Sequence, residues 1–305
     1  MYKINQISSS GFEDYDKSIF SWELNNVCQY RCSYCYANEW LEKDFNKKYS
    51  DTYKTVLTKI KLLDIKKINY DLELLGGEPT IHPYFFNILS FLNNLKKCKK
   101  IKLITNIAKP VSFFNKIPNY IDKSKYTINA SYHVEYDKGN FLKKIIELNK
   151  NHDVVVNVNL LNNEKYFDKI EDIIKKFISN DIKIMYNYLH DVENKFLSNY
   201  DEVFYNKFEK YFKYFNNKKT KFIIDEKEIY LDEWYIRKNN LINFYDKFLC
   251  TPKFYNISYK GEISNICTGK QIKNILNNFH EKIKCPVKGG CSKCSMLFDY
   301  HKERC

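Results

Sequence analysis

Several features are missing from this 305-residue sequence, and each absence excludes a class of protein. No apolar run approaches the roughly 18 to 20 residues that a membrane-spanning helix needs. The N-terminal segment has no basic stretch followed by an apolar one, so we expect no signal peptide and a cytoplasmic protein. No G-x-G-x-x-G-like loop follows a predicted strand, which argues against a methyltransferase.

The charge of the chain is strongly basic, with 50 Lys and Arg against 37 Asp and Glu. A net charge of +13 favours anionic partners electrostatically. The lysines, however, are scattered along the entire chain, and no recognisable nucleic-acid module accompanies them. Hydrophobic residues make up 44% of the sequence. We therefore expect a folded globular protein that does not act on nucleic acid.

The sequence is rich in cysteine, with ten in a chain that carries no secretion signal. Clustered thiols in a reducing compartment are metal ligands or catalytic groups rather than disulfides. Cys28, Cys32 and Cys35 form a C-x3-C-x2-C run, short enough to bring three thiolates to one metal centre. A closed zinc site needs four protein ligands, whereas a [4Fe-4S] cube held by three cysteines leaves one iron open. The alternative is a zinc knuckle with a remote fourth ligand.

Strand and helix patterns alternate six times in the first two thirds of the chain. Such alternation predicts an α/β fold with a parallel sheet, as a partial or complete TIM-like (β/α) barrel. The predicted strands are Ile19–Leu24, Asp71–Leu75, Ile101–Thr105, Tyr126–Tyr132, Val154–Leu161 and Ile182–Leu189. Residues 1–17 are polar, and we expect them to form a surface lead-in. A helix at Tyr200–Phe215 and a short β segment near Phe222–Leu231 are predicted further on.

The second predicted strand ends in Gly76, Gly77, Glu78 and Pro79. Two glycines at a strand end allow backbone to approach a ligand closely, and Glu78 supplies an acceptor suited to an ammonium group. A tight turn ended by proline is the alternative interpretation.

Together, the cysteine run with an aromatic residue before its third cysteine, and GGEP about one strand and one helix later, resemble the radical S-adenosylmethionine (SAM) enzymes. The resemblance implies a six-stranded partial barrel, (β/α)6, over about residues 17–190. It also implies a catalytic [4Fe-4S] cluster on the three cysteines, whose open iron is chelated by SAM. Further SAM contacts are implied at Tyr34, near the adenine; Gly76, Gly77 and Glu78, at the amino group; Ser131, at the ribose; and Thr105 and Asn106, at the active-site mouth.

Polar residues at the same end of the predicted strands are candidate substrate ligands, with ordinary loop polarity as the alternative. They are His133, Glu135, Asn157, Asn159, Tyr186, Asn187 and His190.

The last sixty residues contain a second set of cysteines. Cys250 and Cys267 flank a predicted β-hairpin that turns at Lys260–Gly261, and Cys291 and Cys294 form a C-x2-C pair. These four could bind an auxiliary [4Fe-4S] cluster or structural zinc. The arrangement resembles the twitch and SPASM extensions of radical SAM enzymes, although it has six cysteines rather than seven. We expect one auxiliary cluster, with a second left open.

Three cysteines remain. Cys285 and Cys305 are candidate replacement ligands or free thiols, and Cys98 is expected to be an inert packed or surface thiol. The predicted domains are a core over 1–190, a connecting region over 191–249 and an auxiliary cluster domain over 250–305.

The resemblance implies reductive cleavage of SAM to a 5′-deoxyadenosyl radical, which takes a hydrogen atom from an unactivated C–H bond. The cofactor carries the hard chemistry. Only 27 residues precede Cys28, with no leader-binding domain, so we expect a small polyhydroxylated, sugar-like substrate. The alternatives are a maturase acting on a peptide or protein, and a non-catalytic zinc protein. A reducing donor such as flavodoxin or ferredoxin is the expected protein partner.

Overall fold

The computed structural model describes residues 4–9, 17–35, 37–39, 41–42, 52–65, 69–189, 200–217, 219–239, 248–252, 254–265, 271, 283–284 and 300–304. The strands are β1 Ile4–Ser9, β2 Ser18–Glu23, β3 Tyr70–Leu75, β4 Cys98–Thr105, β5 Tyr126–Tyr132, β6 Val154–Leu160, β7 Ile184–Tyr188, β8 Thr220–Ile224, β9 Lys227–Leu231, β10 Phe248–Pro252, β11 Phe254–Ile257, β12 Ile263–Asn265, β13 Ile283–Lys284 and β14 Tyr300–Arg304. The helices are α1 Thr52–Ile65, α2 Phe85–Asn93, α3 Val111–Phe114, α4 Phe141–Asn149, α5 Phe167–Ser179, α6 Glu202–Phe208 and α7 Glu233–Lys238.

The chain divides into two compact units, one of which comprises residues 21–216 and 257–261. Its sheet contains strands β2 to β7 in sequence order. Neighbouring strands from β3 to β7 are parallel, and helices lie between them along the chain. The predicted α/β fold with a parallel sheet is confirmed. In the described part of the chain β7 ends this sheet, which is therefore open.

The helices of this unit pack through apolar stripes on one face of the sheet. In α5, buried Phe167, Ile170, Ile174 and Phe177 recur every three or four residues, as an amphipathic helix requires. Tyr132 of β5 meets Phe177 edge-on, with ring centroids 6.2 Å apart. Alternate strand residues such as Tyr132 therefore form the core beneath the helices.

The opposite face of the sheet, which we call the inner face, carries polar side chains alongside apolar ones. Lys102 of β4 pairs with Glu73 of β3 at 2.7 Å. On β6, Asn159 donates to the carbonyl oxygen of Tyr132 at 3.1 Å. Asn187 of β7 donates to the Asn159 side-chain oxygen at 3.5 Å. The inner face thus contains neutral amides as well as an ion pair.

Tyr186 lies elsewhere than the sequence predicted. Its ring is buried among Tyr188, Phe212 and Phe215, with the Phe212 centroid 5.0 Å away. Adjacent strand residues point to opposite faces, so Tyr186 and Asn187 cannot both face a substrate. Tyr186 is therefore a core residue, and only Asn187 of the two lies on the inner face.

The other compact unit comprises residues 1–20, 217–256 and 262–305. Its sheet has the order β13-β10-β14-β1-β8-β9, and every described pair is antiparallel. The expected polar lead-in is wrong for Ile4–Ser9, because this segment is strand β1 and pairs with both β8 and β14. Strands β1 and β14, near the two ends of the chain, pair with each other in this sheet.

Two hairpins occur in the last third of the chain. One belongs to the antiparallel sheet, and the other, of β11 and β12, belongs to the sheet of β2 to β7. Strands β8 and β9 are joined by Asp225 and Glu226, which both have positive φ, as a tight two-residue hairpin turn requires. Strands β11 and β12 are neighbours and flank the turn predicted at Lys260–Gly261. No helix among the described residues has both the length and the apolar character needed to cross a membrane.

Candidate iron–sulfur cluster site

The three cysteines lie on the loop that follows β2. All three are free thiols, and Cys32 is buried with 4% of its surface exposed. The Cys35 N–H donates to the Cys32 carbonyl at 3.0 Å, which tightens the loop. Burial raises the pKa of Cys28 to about 11 and that of Cys32 to about 12. These sulfurs would ionise at neutral pH only with a cation bound to them, and three thiols within eight residues fit the donor set of a [4Fe-4S] cluster.

A single metal ion is a different case. Within the described residues, no three Cys, His, Asp or Glu side chains converge as the ligands of one ion. In a [4Fe-4S] cube each thiolate binds its own iron atom, so the three sulfurs do not have to converge on one ion.

Cys32 is in contact with the residue that follows β5. His133 Nδ1 lies 3.3 Å from Cys32 Sγ and 2.9 Å from the Tyr34 hydroxyl. The rings of His133 and Tyr34 are nearly parallel, with an interplanar angle of 9° and centroids 6.0 Å apart. Burial lowers the pKa of His133 to about 4, with the Glu135 carboxylate acting in the opposite direction. The hydroxyl edge of Tyr34, expected beside the adenine, is thus bound to a histidine of the protein.

Glu135 and Tyr136 hold the cysteine loop from the same side. The Glu135 carboxylate accepts from the Ser33 N–H at 2.8 Å and from the Ser33 hydroxyl at 2.5 Å. The Tyr136 hydroxyl accepts from the Arg31 N–H at 2.8 Å. Glu135, a candidate substrate ligand, therefore serves as an anchor for the loop in this structure.

The two glycines of GGEP approach the chain itself. The Gly77 N–H donates to the Asn25 carbonyl at 2.9 Å, and the Glu78 N–H donates to the Val27 carbonyl at 2.7 Å. A Cβ on Gly76 would overlap the Asn25 carbonyl, and one on Gly77 would overlap that of Val27. The close approach that the sequence predicted at these glycines is thus made by the segment leading into Cys28.

Glu78 is almost fully buried, with 1% of its surface exposed, and its carboxylate is well supplied with donors. One oxygen accepts from the Thr80 N–H and hydroxyl and from the Thr105 hydroxyl, and the other accepts from the Asn106 N–H at 2.8 Å. Three donors thus share one oxygen, and one donor among the described residues meets the other, so most of the roughly four lone-pair sites of the carboxylate are engaged. Burial raises the pKa of Glu78, while the hydrogen bonds act in the opposite direction. The carboxylate ties the end of β3 to the end of β4.

Asn106 connects this carboxylate to the first cysteine. Its side-chain nitrogen lies 3.6 Å from Cys28 Sγ, and its side-chain oxygen accepts from Gln29 at 3.1 Å. Thr105 and Asn106 are thus next to the cysteine loop.

Two cavities flank the cysteine loop. The first, of about 20 Å³, includes Tyr30, Asn106, Ser131, His133 and Tyr136 in its wall. The second, of about 190 Å³, is lined by Ser33, Tyr34, Leu161, Asn162, Asn163, Leu189 and Tyr200. Ser131 therefore lies in the wall of a space that holds about one water molecule.

Some contributors to the site were not identified from the sequence. Gln29 and Arg31 lie between the first two cysteines, a position that could have drawn attention to them. Asn25 could not have been found so, because its role depends on the contact between its side-chain nitrogen and the Glu78 carbonyl, 53 residues away, at 3.0 Å. Tyr136 likewise depends on folding, which stacks its ring 4.3 Å from that of Tyr30.

The second cysteine set is described only in part. Cys250 lies on β10, opposite Ile283 and Lys302 in the register of the sheet. Cys98 begins β4 and is buried. The remaining predicted residues lie outside the described residues; these are His190, Cys267, Cys285, Cys291, Cys294 and Cys305.

One family model matches the part of the chain that contains the cysteine loop. Residues 21–170 match the model described as a 4Fe-4S single cluster domain. The match spans the loop and strands β3 to β6. The [4Fe-4S] cofactor that the sequence predicted is confirmed by this match. No curated protein sequence matches the chain.

The fold is shared with solved structures of low sequence identity. SuiB of Streptococcus suis bound to S-adenosylmethionine has a TM-score of 0.53 at 14% identity over 88% of this chain. SuiB bound to its precursor peptide SuiA has a TM-score of 0.54 at 15% identity over 87% of this chain. Native anSMEcpe with bound AdoMet has a TM-score of 0.52 at 12% identity, covering 85% of this chain and 78% of that protein. This chain spans 63% and 65% of the two SuiB chains.

Proposed function

We propose that this protein is a radical SAM enzyme whose [4Fe-4S] cluster is held by Cys28, Cys32 and Cys35. The observation that carries the proposal is the cluster domain itself, which places three free thiols on one loop of an open parallel sheet. The fold supports it, since SuiB and anSMEcpe of the same fold have been solved with SAM bound. When bound, the cluster would supply the electron that cleaves SAM to methionine and a 5′-deoxyadenosyl radical.

The residues around the loop would bind and orient SAM. Ser131 lies in the wall of one cavity beside the loop and Tyr34 in the wall of the other. We assign the ribose contact to Ser131 and the adenine contact to the ring of Tyr34. Contact between the GGEP segment and the SAM amino group remains a prediction, in which Glu78 acts by holding the strand ends.

The inner face of the sheet is where we place the substrate. Asn157 and Asn159 lie in register with Ser131 and Asn187 on the neighbouring strands. Neutral amides both donate and accept hydrogen bonds, so they suit an uncharged polar substrate. A peptide is supported by the SuiB structure with its precursor peptide. A polyhydroxylated small molecule, the prediction from the sequence, would use the same amides.

An auxiliary cluster remains part of the proposal. Cys250, Cys267, Cys291 and Cys294 are the proposed ligands, and the cluster would ligate the substrate or accept an electron after hydrogen abstraction. The net reaction would then be an oxidation, with flavodoxin or ferredoxin as the proposed electron donor.

The proposal is tested by SAM cleavage. Protein reconstituted anaerobically with iron and sulfide is incubated with SAM and dithionite, and 5′-deoxyadenosine is measured. We expect product from the wild type and from Cys98→Ala, a matched cysteine outside the loop, and none from Cys28→Ala, Cys32→Ala or Cys35→Ala. Product formation that survives loss of a loop cysteine would contradict the assignment.

The substrate class is tested in the same assay. Short peptides and polyhydroxylated small molecules are added in turn, and the correct class is expected to raise the yield of 5′-deoxyadenosine. Asn157→Leu should abolish that increase while leaving the slow cleavage without substrate. If Asn157→Leu responds as the wild type does, the inner face is not the substrate site.

A further inference from the structure

The sulfur of Cys32 has a side-chain neighbour for which the proposed reaction gives no role. His133 Nδ1 lies 3.3 Å from Cys32 Sγ, within hydrogen-bonding distance for sulfur. The Tyr34 hydroxyl is 2.9 Å from the same nitrogen and is itself hydrogen-bonded to Cys32. Cys32, Tyr34 and His133 therefore form a closed group of three polar atoms.

The imidazole is held firmly in this group. The Tyr34 ring lies nearly parallel to the imidazole, with centroids 6.0 Å apart and its hydroxyl against Nδ1, and Tyr30 meets the imidazole edge-on at 5.8 Å and 80°. Tyr30 in turn stacks on Tyr136, whose hydroxyl binds the loop backbone. The packing fixes the direction in which Nδ1 points, and that direction is towards Cys32 Sγ.

The chemistry of a bound thiolate decides which atom donates. A cysteine sulfur attached to iron carries no proton and can only accept, whereas a neutral imidazole carries one N–H. With that proton on Nδ1, the N–H points to Cys32 Sγ, and the Tyr34 O–H is available to the same sulfur. The other loop sulfurs differ, since the Cys28 sulfur has the Tyr30 N–H at 3.4 Å and the Asn106 amide at 3.6 Å.

We propose that His133 is a positioning residue that donates a hydrogen bond from Nδ1 to Cys32 Sγ and thereby raises the reduction potential of the cluster. The inference rests on the proposed function, because it requires a cluster on this loop. One-electron reduction adds negative charge to the cluster and its sulfurs. A hydrogen bond to an acceptor strengthens as the acceptor becomes more negative, so it stabilises the reduced form.

The test is an EPR-monitored redox titration of the reconstituted protein. His133→Phe keeps a ring beside Tyr34 but removes both nitrogens, and we expect the ratio of reduced to oxidised cluster at a fixed potential to fall about tenfold, or about 59 mV for one electron. His133→Asn places an amide nitrogen near the position of Nδ1 and should restore most of the shift. A purely structural role would give no such rescue.

A buried histidine away from the loop provides the control. His152 is also hydrogen-bonded to a tyrosine, at 2.7 Å from the Tyr126 hydroxyl, but it has no contact with the cysteine loop among the described residues. His152→Phe should weaken the fold without changing the cluster potential. Equal potentials in the wild type and His133→Phe, or equal shifts in His133→Phe and His152→Phe, would overturn the inference.

A measurement on the wild type covers the case in which His133→Phe does not hold a cluster. Protein labelled with ¹⁵N-histidine is reduced, and pulsed EPR is used to detect hyperfine coupling between the cluster and a histidine nitrogen. Coupling is expected, and its absence would overturn the inference. Iron content and the cluster signal of the wild type test the proposed function separately, since a protein without a cluster fails there first.

Discussion

The contact between GGEP and the segment leading into Cys28 predicts a strong effect of one added methyl group. In Gly77→Ala the new Cβ would overlap the Val27 carbonyl, with the Val27 nitrogen only 2.8 Å away. These are backbone atoms that no side-chain rotation can move aside. The segment would have to shift, and two hydrogen bonds across it, Gly77 to Asn25 and Glu78 to Val27, would weaken.

The magnitude follows from these two contributions. Overpacking costs about 1–3 kcal/mol, and each lost hydrogen bond costs about 0.5–1.5 kcal/mol. We therefore expect the free energy of unfolding to fall by about 2–6 kcal/mol in Gly77→Ala. Because the shifted segment leads directly into Cys28, we also expect less iron bound per chain after reconstitution.

The matched control is Gly139→Ala. Gly139 has a φ of +84° but no atom within 4 Å of an added Cβ, so the cost there is backbone strain alone, about 1–2 kcal/mol. Unfolding in urea and iron content are compared for the two variants. The reasoning is refuted if Gly77→Ala is no less stable than Gly139→Ala and binds as much iron as the wild type.

Three further predictions concern stability. The Tyr211 hydroxyl and neighbouring lysines hold the pKa of Glu171 well below its usual range. Glu171→Gln should therefore lower the free energy of unfolding by about 1–3 kcal/mol at pH 7 and should flatten the loss of stability as the pH falls below about 4.5. Acid unfolding that is unchanged in this variant would contradict the prediction. Burial lowers the pKa of His152, so the free energy of unfolding of the wild type should fall as the pH drops below about 6.5. In His152→Gln, urea unfolding measured over the same pH range should show a smaller fall. The Asp201 carboxylate accepts from the Phe204 N–H at 3.0 Å, so Asp201→Ala should lower the free energy of unfolding by about 1 kcal/mol, against no change for a surface substitution.

The parallel sheet was predictable because its information is local. The spacing of apolar residues every three or four positions in α5 and the β-prone run of β6 specify these elements within a few residues. The order of strands β2 to β7 along the chain is also their order in the sheet. The antiparallel sheet was missed because β1 pairs with β8 and β14, more than 200 residues away, and six residues of mixed polarity carry no sign of such partners.

The same difference between local and long-range information applies to the candidate site. The spacing of Cys28, Cys32 and Cys35 is a local pattern, and it pointed to a cluster that the family model supports. The roles of Glu78 and His133 could not be predicted from the sequence, because each depends on partners from other parts of the chain. A glutamate after two glycines shows an available acceptor, but only the fold shows that its oxygens are already engaged.

The measurement that tests the central claim most directly is the EPR spectrum of the reduced, reconstituted protein before and after addition of SAM, together with its metal content. The account predicts about eight irons per chain if the auxiliary cluster is present, and about four fewer when Cys28, Cys32 and Cys35 are all replaced by alanine. It also predicts that SAM changes the spectrum of the wild type and leaves that of the triple variant unchanged. A protein that binds zinc in place of iron, or a cluster whose spectrum does not respond to SAM, would contradict the claim that this loop holds a cluster with an iron open to SAM.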